Sequence, residues 1–292
     1  RVIPRQVGGS FRMKASVYPE YVSLLHGARL LGRPVKWTDE RSGSFVSDHH
    51  GRAQDMVVEM AFDESAHILA VRLTGYGDMG GCLAQFGPLL PTGNQVKNIA
   101  SMYRTPLIEV ATKCVFTNTT FVSAYRGAGR PEGNYYIERT LDLLAAELGI
   151  DRLDLRRRNI IRKSDLPFKA ASDMTYDCGD FLGVLKQALH AADYAGFKKR
   201  KRESKKRGLL RGLGIGCYLE VTAAPGKELG AIHFEADGTV TIVTGTLDFG
   251  MGHATTYAQM LTDLLGIPFG RVRMVEGDSD RMSFGGGSGG SR

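Results

Sequence analysis

The 292-residue sequence lacks the closely spaced cysteine pairs that hold zinc or iron–sulfur clusters. Its four cysteines lie far apart in the chain, at Cys82, Cys114, Cys178 and Cys217. We expect them to be small buried hydrophobic residues of a protein kept in a reducing compartment, the cytoplasm. No apolar run approaches the length of a membrane span. The sequence starts in RVIPRQVGG and stops within GGGSGGSR, so we expect an internal piece of a longer polypeptide.

The best-known phosphate, metal and nucleophile motifs are also missing. No glycine-rich segment carries the Lys-Ser/Thr pair of a P-loop, and G-x-G-x-x-G is not met cleanly. No convincing Ser/His/Asp or Cys/His arrangement occurs. His49 and His50 are adjacent and point apart, which favours a surface loop over a metal site. Asp278 and Asp280 lack further carboxylates at matching offsets, which favours a turn capped by its own aspartates.

The net charge of +7 comes from one segment. Residues Lys198 to Arg207, KKRKRESKKR, contain eight basic residues and one glutamate. Such a run either binds an anionic partner or forms a solvated helix end. It has no interleaved aromatic residues for base stacking, so we expect no nucleic-acid binding. An anion- or nucleic-acid-binding module built on this run remains the alternative to an enzyme.

Apolar periodicity predicts an α/β protein with mixed sheets. Helices are predicted over residues 16–31, 131–148, 151–159, 181–192 and 253–265. Strands are predicted over residues 34–37, 53–62, 68–76, 108–115, 212–222, 231–235 and 239–246, and a last strand with its following loop over residues 271–280. Punctuation by glycine and proline predicts a loop over residues 82–101.

Four glycine-rich segments are the most informative feature of the chain. They are VGGSFRMK, YRGAGRPE, DFGMGHATT and the final GGGSGGSR, and each of the first three precedes a predicted helix. Several such loops in one chain indicate a large polar ligand held by backbone amides and helix N-termini. His253 is either a ligand contact or an ordinary residue of the first helical turn, and spacing alone leaves both open.

In this order the segments resemble the molybdopterin-binding large subunit of the xanthine dehydrogenase, aldehyde oxidase and aerobic carbon monoxide dehydrogenase family, the molybdenum hydroxylases. The similar stretches are VGGSFRMK, SAYRGAGRPEGNYYIER, DFGMGHATTYAQ and EGDSDRMSFGGGSGGSR. The likeness extends through LAAELGIDRLDLRRRNII and YDCGDF, and so covers essentially the whole chain. One loop would be a weak signal, whereas four in family order are a strong one.

The resemblance implies a fold, a cofactor and partners. Residues 1–207 would be the first molybdopterin-binding domain and residues 208–292 the start of the second. The cofactor would be molybdenum on a molybdopterin, in the cytosine dinucleotide form usual in bacteria. Such enzymes insert water-derived oxygen at an electrophilic carbon of an aldehyde or N-heterocycle. Electrons then pass to [2Fe–2S] clusters on a small subunit and FAD on a medium subunit, in a dimer of heterotrimers.

The resemblance also assigns residues. The general-base glutamate is expected beyond Arg292, so no catalytic residue is expected in this chain, and the piece should be inactive alone. Molybdenum itself would be held by the pterin, with no direct protein ligand. Ala128 would line the substrate pocket. The expected cofactor-binding residues are Gly8, Gly9, Phe11, Arg126, Gly127, Gly250, Met251, Gly252, His253, Thr256, Ser288, Gly289 and Ser291.

Several positions depart from the family pattern. Ser10 and Arg12 stand in a loop that is usually G-G-G-F-G. Met251 replaces a glutamine whose amide donates to a molybdenum oxo ligand, and a thioether has no donor. These departures keep a non-catalytic, degenerate homologue open as an alternative.

Three further positions narrow the range of expected substrates. The carbon monoxide enzymes carry cysteine directly after the loop arginine, and here that residue is Gly127. The purine oxidases have a large aromatic residue at the position of Ala128 and a glutamate at that of Ala15. We therefore expect neither carbon monoxide nor a purine as substrate.

Overall fold

The computed structural model describes residues 1–4, 7–220, 227–285 and 287–289. The chain divides into two compact units. The large unit is Arg12–Glu220, and the small unit combines Arg1–Phe11 with Val221–Arg292. No helix in the described part of the chain is both long and apolar enough to cross a membrane.

A three-stranded sheet forms the centre of the large unit. Strand β1 (Gln54–Phe62) runs antiparallel to β2 (Ile68–Asp78), and β2 runs parallel to β3 (Leu107–Val115). The predicted turn between β1 and β2 forms because the Asp63 carboxylate accepts the N–H groups of Ser65 and His67 at 2.9 and 2.8 Å. All three strands were predicted to within two residues at each end.

The described residues of the large unit form seven α-helices. They are α1 (Pro19–Leu31), α2 (Arg41–Ser47), α3 (Gln95–Asn98), α4 (Arg130–Glu147), α5 (Arg152–Asn159), α6 (Phe181–Ala191) and α7 (Phe197–Lys206). A short hairpin, β4 (Phe168–Lys169) with β5 (Thr175–Tyr176), lies between α5 and α6. Aspartates cap two helix starts: Asp151 accepts the Leu153 N–H at 2.8 Å, and Asp180 accepts the Gly183 N–H at 2.9 Å.

The apolar stripe of α4 packs on the core of the large unit. Its Ile137 and Leu141 are fully buried beside Leu73 and Ile99. Because each fully buried side chain of this size contributes roughly 1.5–3 kcal/mol, this seam fixes α4, and with it the glycine loop that precedes α4.

A buried ion pair holds α4 to α5. Arg156 is wholly buried, and its guanidinium contacts Glu138 Oε2 at 2.9 Å and Asp142 Oδ1 at 2.8 Å. The Tyr103 hydroxyl donates to Glu138, and Glu138 also accepts the N–H of Cys217 at 2.9 Å. Desolvation opposes the charge of Arg156, but the neighbouring carboxylates outweigh it and raise the pKa of the guanidinium.

The small unit has a second three-stranded sheet. Strand β6 (Gly230–Phe234) runs antiparallel to β7 (Val240–Thr244), and β7 runs parallel to β8 (Val272–Glu276). Helix α8 (His253–Leu265) makes the crossover between the two parallel strands. It ends at Gly266, whose φ of 69° closes the helix, as the sequence predicted.

Four predictions about local structure were wrong. Residues 34–37 form no strand, because they lack a pairing partner among the described residues. Residues 212–220 lie outside any described sheet for the same reason, although alternate side chains still face inwards. Residues 82–101 include helical turns over Leu90–Asn98 rather than loop alone. The basic run is a full helix, α7, rather than a helix end.

The cysteines differ from the expectation as well. Only Cys217 is buried, whereas Cys82, Cys114 and Cys178 are exposed, and all four are free thiols. The exposed three lie on strand β3 or in loops, where sequence pattern carries little information about depth.

Candidate functional site

In the small unit, the topology gathers two of the predicted glycine loops at one sheet edge. Strands β7 and β8 are parallel and paired in register, with Thr244 opposite Glu276. The segments that follow them therefore start side by side at the carboxyl edge of the sheet, the usual ligand edge of parallel strands. One segment leads through Gly250 to α8, and the other leads to Ser288 and Gly289.

The first of these loops is organised by one carboxylate. Asp248 Oδ1 accepts the N–H of Gly250 at 2.7 Å, and Oδ2 accepts the N–H groups of Gly252 and His253 at 3.1 and 2.9 Å. Gly250 and Gly252 have φ values of 106° and 78°, a region that favours glycine. The D-x-G-x-G sequence thus bends the chain back on a single side chain immediately before α8.

The amide contacts change the acidity of Asp248. Desolvation opposes its ionisation, but the N–H groups of Gly250, His253 and Gly252 outweigh this and hold the pKa of the carboxyl below its usual value. The carboxylate is therefore ionised throughout the neutral range.

Glu276 and His253 lie beside this turn. Glu276 Oε2 accepts the N–H of Asp248 at 3.0 Å and lies 3.7 Å from Nδ1 of His253. His253 is buried and stacks on Tyr257 with 5.2 Å between ring centroids. Its Nδ1 makes no hydrogen bond with the part of the chain that the structure describes.

The final glycine loop, which contains Ser288, lies directly against the segment that leads to Gly250. The Ser288 hydroxyl accepts the N–H of Leu247 at 2.9 Å and also donates to the Leu247 carbonyl. A Cβ on Gly245 would lie 2.9 Å from Cα of Gly285, and a Cβ on Gly285 would lie 2.4 Å from the Gly245 carbonyl oxygen. Glycine at both positions is what permits this approach.

The outer face of the Gly250 loop is open. A Cβ built on Gly250 or Gly252 would meet no atom of the described residues within 4 Å. Met251 between them is 50% exposed, and the Thr256 hydroxyl donates to the Gly252 carbonyl at 3.1 Å. Bare backbone at the carboxyl edge of parallel strands is the kind of surface on which a large cofactor lies, so these residues fit one.

In the large unit, the Arg126 loop has an unusual backbone. Gly127, Ala128 and Gly129 are three successive residues with positive φ, at 91°, 49° and 91°. A Cβ on Gly129 would lie 2.3 Å from the Leu90 carbonyl oxygen, so this position excludes a side chain. Ala128 is buried, and its carbonyl accepts a hydrogen bond from the Asn94 side chain at 2.8 Å.

Arg52 clamps this loop from the side. Its guanidinium donates to the Arg126 carbonyl at 2.5 Å, pairs with Glu132 at 2.9 Å and lies 5.2 Å from the ring centroid of Tyr125. The Arg126 side chain itself is exposed. A rigid loop with an exposed arginine is a suitable contact for an anionic group.

The first glycine segment carries backbone strain. Gly8 and Gly9 are exposed, and the ring of Phe11, itself 56% exposed, lies against Gly9. Phe11 and Arg12 have φ values of 48° and 75°. The left-handed conformation of Arg12 explains why the family pattern has glycine there, and it costs roughly 1–2 kcal/mol for a residue with a side chain.

The structure thus brings part of the predicted site together. Five predicted residues of the third loop, Gly250 to His253 and Thr256, share one edge with Ser288 and Gly289. The Arg126 loop belongs to the other unit. Ser291 lies outside the described residues. The assignment of all these residues to a cofactor stays a prediction.

Sequence reasoning missed three residues that shape the loops, namely Asp248, Glu276 and Arg52. An aspartate two residues before a glycine is a known turn signal, so Asp248 could have been found. Glu276 and Arg52 gave no local signal, because their contacts are 28 and 74 residues away in the chain.

The other polar candidates are structural. The predicted surface loop is wrong for His49, which is buried between the Tyr18 hydroxyl and the Ala124 carbonyl at 3.1 and 3.2 Å, whereas His50 is exposed. Asp278 accepts the N–H of Asp280 at 3.1 Å, the predicted self-capped turn, and pairs with Arg1 at 2.6 Å. Within the described ranges, no three His, Cys, Asp or Glu residues are grouped so as to hold a metal ion.

Comparison with known proteins adds independent information. Residues 1–160 and 187–292 match two different models of a molybdopterin cofactor-binding domain. The chain is 32% identical to the gamma subunit of the 6-hydroxypseudooxynicotine dehydrogenase complex of Paenarthrobacter nicotinovorans, over 98% of its length. It is also 32% identical to the carbon monoxide dehydrogenase large chain of Hydrogenophaga pseudoflava, and this match covers the full length of the present chain.

A solved structure agrees. Quinoline 2-oxidoreductase from Pseudomonas putida 86 superimposes with a TM-score of 0.90 at 29% identity, over 98% of this chain and 38% of that one. The chain spans 37% and 38% of the lengths of the two sequence relatives. The architecture, with its helices and small mixed sheets, is therefore that of the molybdenum-binding domains of these enzymes.

Proposed function

This chain belongs to the molybdopterin-binding subunits of the molybdenum hydroxylase family, and we propose that it supplies the cofactor-contacting loops of a hydroxylase acting on an N-heterocycle or aldehyde. One observation carries the proposal. Two glycine loops distant in sequence meet at the carboxyl edge of β7 and β8, with the bare backbone of Gly250 and Gly252 facing outwards.

We assign the residues of each loop a binding role. Gly250 and Gly252 let the backbone approach a flat, polar cofactor closely. Ser288 fixes the loop by bonding Leu247, and Arg126 offers an exposed cation to an anionic group of the cofactor. When bound, the cofactor supplies the redox centre at which an electrophilic carbon is oxidised. The protein's part is orientation and electrostatics.

Two positions favour an aldehyde or an N-heterocycle other than a purine, one by arguing against carbon monoxide and one by arguing against purines. Gly127 follows Arg126, where the family resemblance places cysteine in carbon monoxide enzymes. Ala128 is small, where purine oxidases have a large aromatic residue. Relatives named for nicotine 6-hydroxylation and quinoline oxidation act on N-heterocycles, which supports this choice.

The partners and the location are proposals drawn from the family resemblance. We propose that the full-length subunit assembles with an iron–sulfur small subunit and an FAD medium subunit in the cytoplasm, and that it carries molybdopterin cytosine dinucleotide. Relatives described as a gamma subunit and as large chains support a multi-subunit assembly. The general-base glutamate would come from outside this chain.

The deciding experiment is a composition and activity measurement on the full-length complex. We expect one molybdenum and one CMP per large subunit, together with hydroxylation of an N-heterocycle or aldehyde. Oxygen from labelled water should appear in the product. Xanthine or carbon monoxide turnover at a comparable rate would refute the substrate class, and a complex without molybdenum would refute the cofactor.

A degenerate, non-catalytic homologue is the second candidate, because Met251 offers no donor and Arg12 is strained. It predicts molybdenum at full occupancy without turnover of any substrate. An anion-binding module on α7 is the third candidate. It predicts salt-dependent binding of a polyanion that is lost when the basic residues of α7 are neutralised.

A further inference from the structure

The carboxylate of Asp248 has no role in the family pattern given above, yet it has the most backbone contacts of any side chain near the open loop. Its two oxygens accept N–H groups from Gly250, Gly252 and His253 at 2.7 to 3.1 Å. Hydrogen bonds from neutral donors to an ionised acceptor are about twice as strong as neutral ones. The loop is therefore folded around this carboxylate.

This arrangement changes what the start of α8 can do. The first N–H groups of a helix lack partners within the helix and attract anions. Here the amides of Gly252 and His253 already bond a full negative charge supplied from within the chain. A cofactor phosphate would have to displace Asp248 to reach them.

Asp248 is itself held in place by both loops. Its N–H donates to Glu276 at the end of β8, at 3.0 Å. The preceding residue, Leu247, is bonded through its N–H and its carbonyl to Ser288. The carboxylate therefore occupies a position fixed by the sheet edge on one side and the final glycine loop on the other.

We propose that Asp248 is a positioning residue. Its carboxylate is the internal anion of α8, which closes the backbone from Gly250 to His253 so that Met251 and the bare glycine faces, rather than the helix amides, meet the cofactor. This inference rests on the proposed function and names how that site is kept in shape.

The first test is hydrogen exchange in the full-length complex, followed in the peptide that covers residues 249–257. Asp248→Asn keeps the side-chain shape and removes the charge. We expect its amides to exchange at least about threefold faster than in the wild type, because charge-assisted bonds are lost. Asp237→Asn is the matched control, since Asp237 caps the β6–β7 turn of the same unit through the Thr239 N–H at 2.9 Å. Equal exchange in all three proteins would overturn the proposal.

The second test asks whether the amides are an anion site that Asp248 fills. Inorganic phosphate is added to the wild type and to Asp248→Ala. We expect phosphate to slow exchange in Asp248→Ala only. Protection in the wild type would show that the amides are open, and no protection in Asp248→Ala would show that they form no anion site. Either result contradicts the inference.

The third test measures bound molybdenum and CMP per subunit. We expect at least about a twofold loss in Asp248→Asn and none in Asp237→Asn. Unchanged content in Asp248→Asn would remove the positioning role. A wild-type complex without molybdenum would refute the proposed function instead, and the exchange experiments would still decide the role of Asp248.

Discussion

The two three-stranded sheets share one plan, an antiparallel pair followed by a parallel pair, and they differ in how the turn after the middle strand is packed. In both, an aspartate follows or ends the middle strand and precedes a glycine by two residues. Asp78 Oδ1 accepts the N–H of Gly80 at 2.7 Å, and Asp248 Oδ1 accepts that of Gly250 at the same distance.

The difference lies in the space around each glycine. A Cβ on Gly80 would lie 2.1 Å from the Thr120 carbonyl oxygen, and the hydroxyl of Thr117 donates to Asp78 at 2.8 Å. The chain itself fills that turn. Around Gly250, no atom from the part of the chain that the structure describes lies within 4 Å of a Cβ. The same Asp-x-Gly turn therefore occurs in both sheets. In the first sheet the protein's own chain packs against the turn, whereas in the second sheet the described residues leave it uncovered. The second turn is therefore the candidate for ligand binding.

The largest expected effect concerns the buried ion pair between α4 and α5 in the large unit. Arg156→Met leaves Glu138 buried without its cation, and we expect the free energy of unfolding to fall by about 3–5 kcal/mol. Arg157→Met is the matched control, because Arg157 pairs with Asp154 at the surface and should cost less than about 1 kcal/mol. Urea unfolding of both variants checks this. Equal losses of unfolding free energy in the two variants would mean that the buried ion pair stabilises α4 no more than a surface pair does.

The next effect tests closure of the turn. Gly80→Ala forces a Cβ into the Thr120 carbonyl and imposes a left-handed alanine, which should cost about 2–5 kcal/mol. Gly250→Ala also imposes a positive φ, here 106°, on an alanine but meets no clash with the described residues, and should cost about 1–3 kcal/mol. Thermal unfolding of the two variants measures the difference. If Gly250→Ala is the more damaging, the second turn is not open.

Met251 tests what the open turn contributes to activity. Met251→Gln restores the donor that the family pattern has there, and we expect kcat to rise at least about tenfold, since one such donor is worth 10²–10³ elsewhere. Met260→Gln is the control, because Met260 is 51% exposed on α8 and Met251 is 50% exposed. Stability of both should change by less than about 0.5 kcal/mol. An unchanged kcat would show that the oxo contact is unimportant here or is supplied by another group.

The smallest effect is pH dependence of the open turn. The pKa of Asp248 is lower in the folded protein than in the unfolded chain. Its carboxylate therefore stabilises the folded state at pH values above the ordinary aspartate pKa of about 4, and this stabilisation is lost as the pH falls through the lowered pKa. Because the group is partly solvated, we expect at most about 1 kcal/mol. The measurement is unfolding free energy between pH 6 and 3, and Asp248→Asn should flatten part of the slope. A wild-type slope unchanged by Asp248→Asn would contradict it.

Much of the fold could be predicted from the sequence where local pattern and tertiary packing agree. Helix α8 was predicted to the residue, because its glycines and apolar stripe mark both ends. Residues 212–220 have the alternation of a strand without its hydrogen bonds, since a strand requires a neighbour that local pattern does not reveal. The helical turns over Leu90–Asn98 were hidden by Gly87 and Pro88 just before them and by Pro91 and Gly93 within them.

The glycine loops of the site could be predicted from the sequence, whereas the contacts that hold these loops in place could not. Glycines at a strand–helix junction can be recognised in the sequence, and the family resemblance indicated which ligand they would bind. The meeting of Gly245 with Gly285, and of Glu276 with the Asp248 N–H, depends on the parallel pairing of β7 with β8. Such contacts follow from topology and leave no mark in a local window.

The distribution of thiols has a practical consequence for labelling. All four cysteines belong to the large unit, and the small unit contains none. The pKa of Cys178 is raised by a hydrogen bond and charge from Asp177, and that of Cys114 is raised by partial burial. Both thiols are therefore accessible yet slow to alkylate at neutral pH, because the thiolate is the reactive form. A cysteine placed at Met251 would give the small unit a fluorescent reporter of its own.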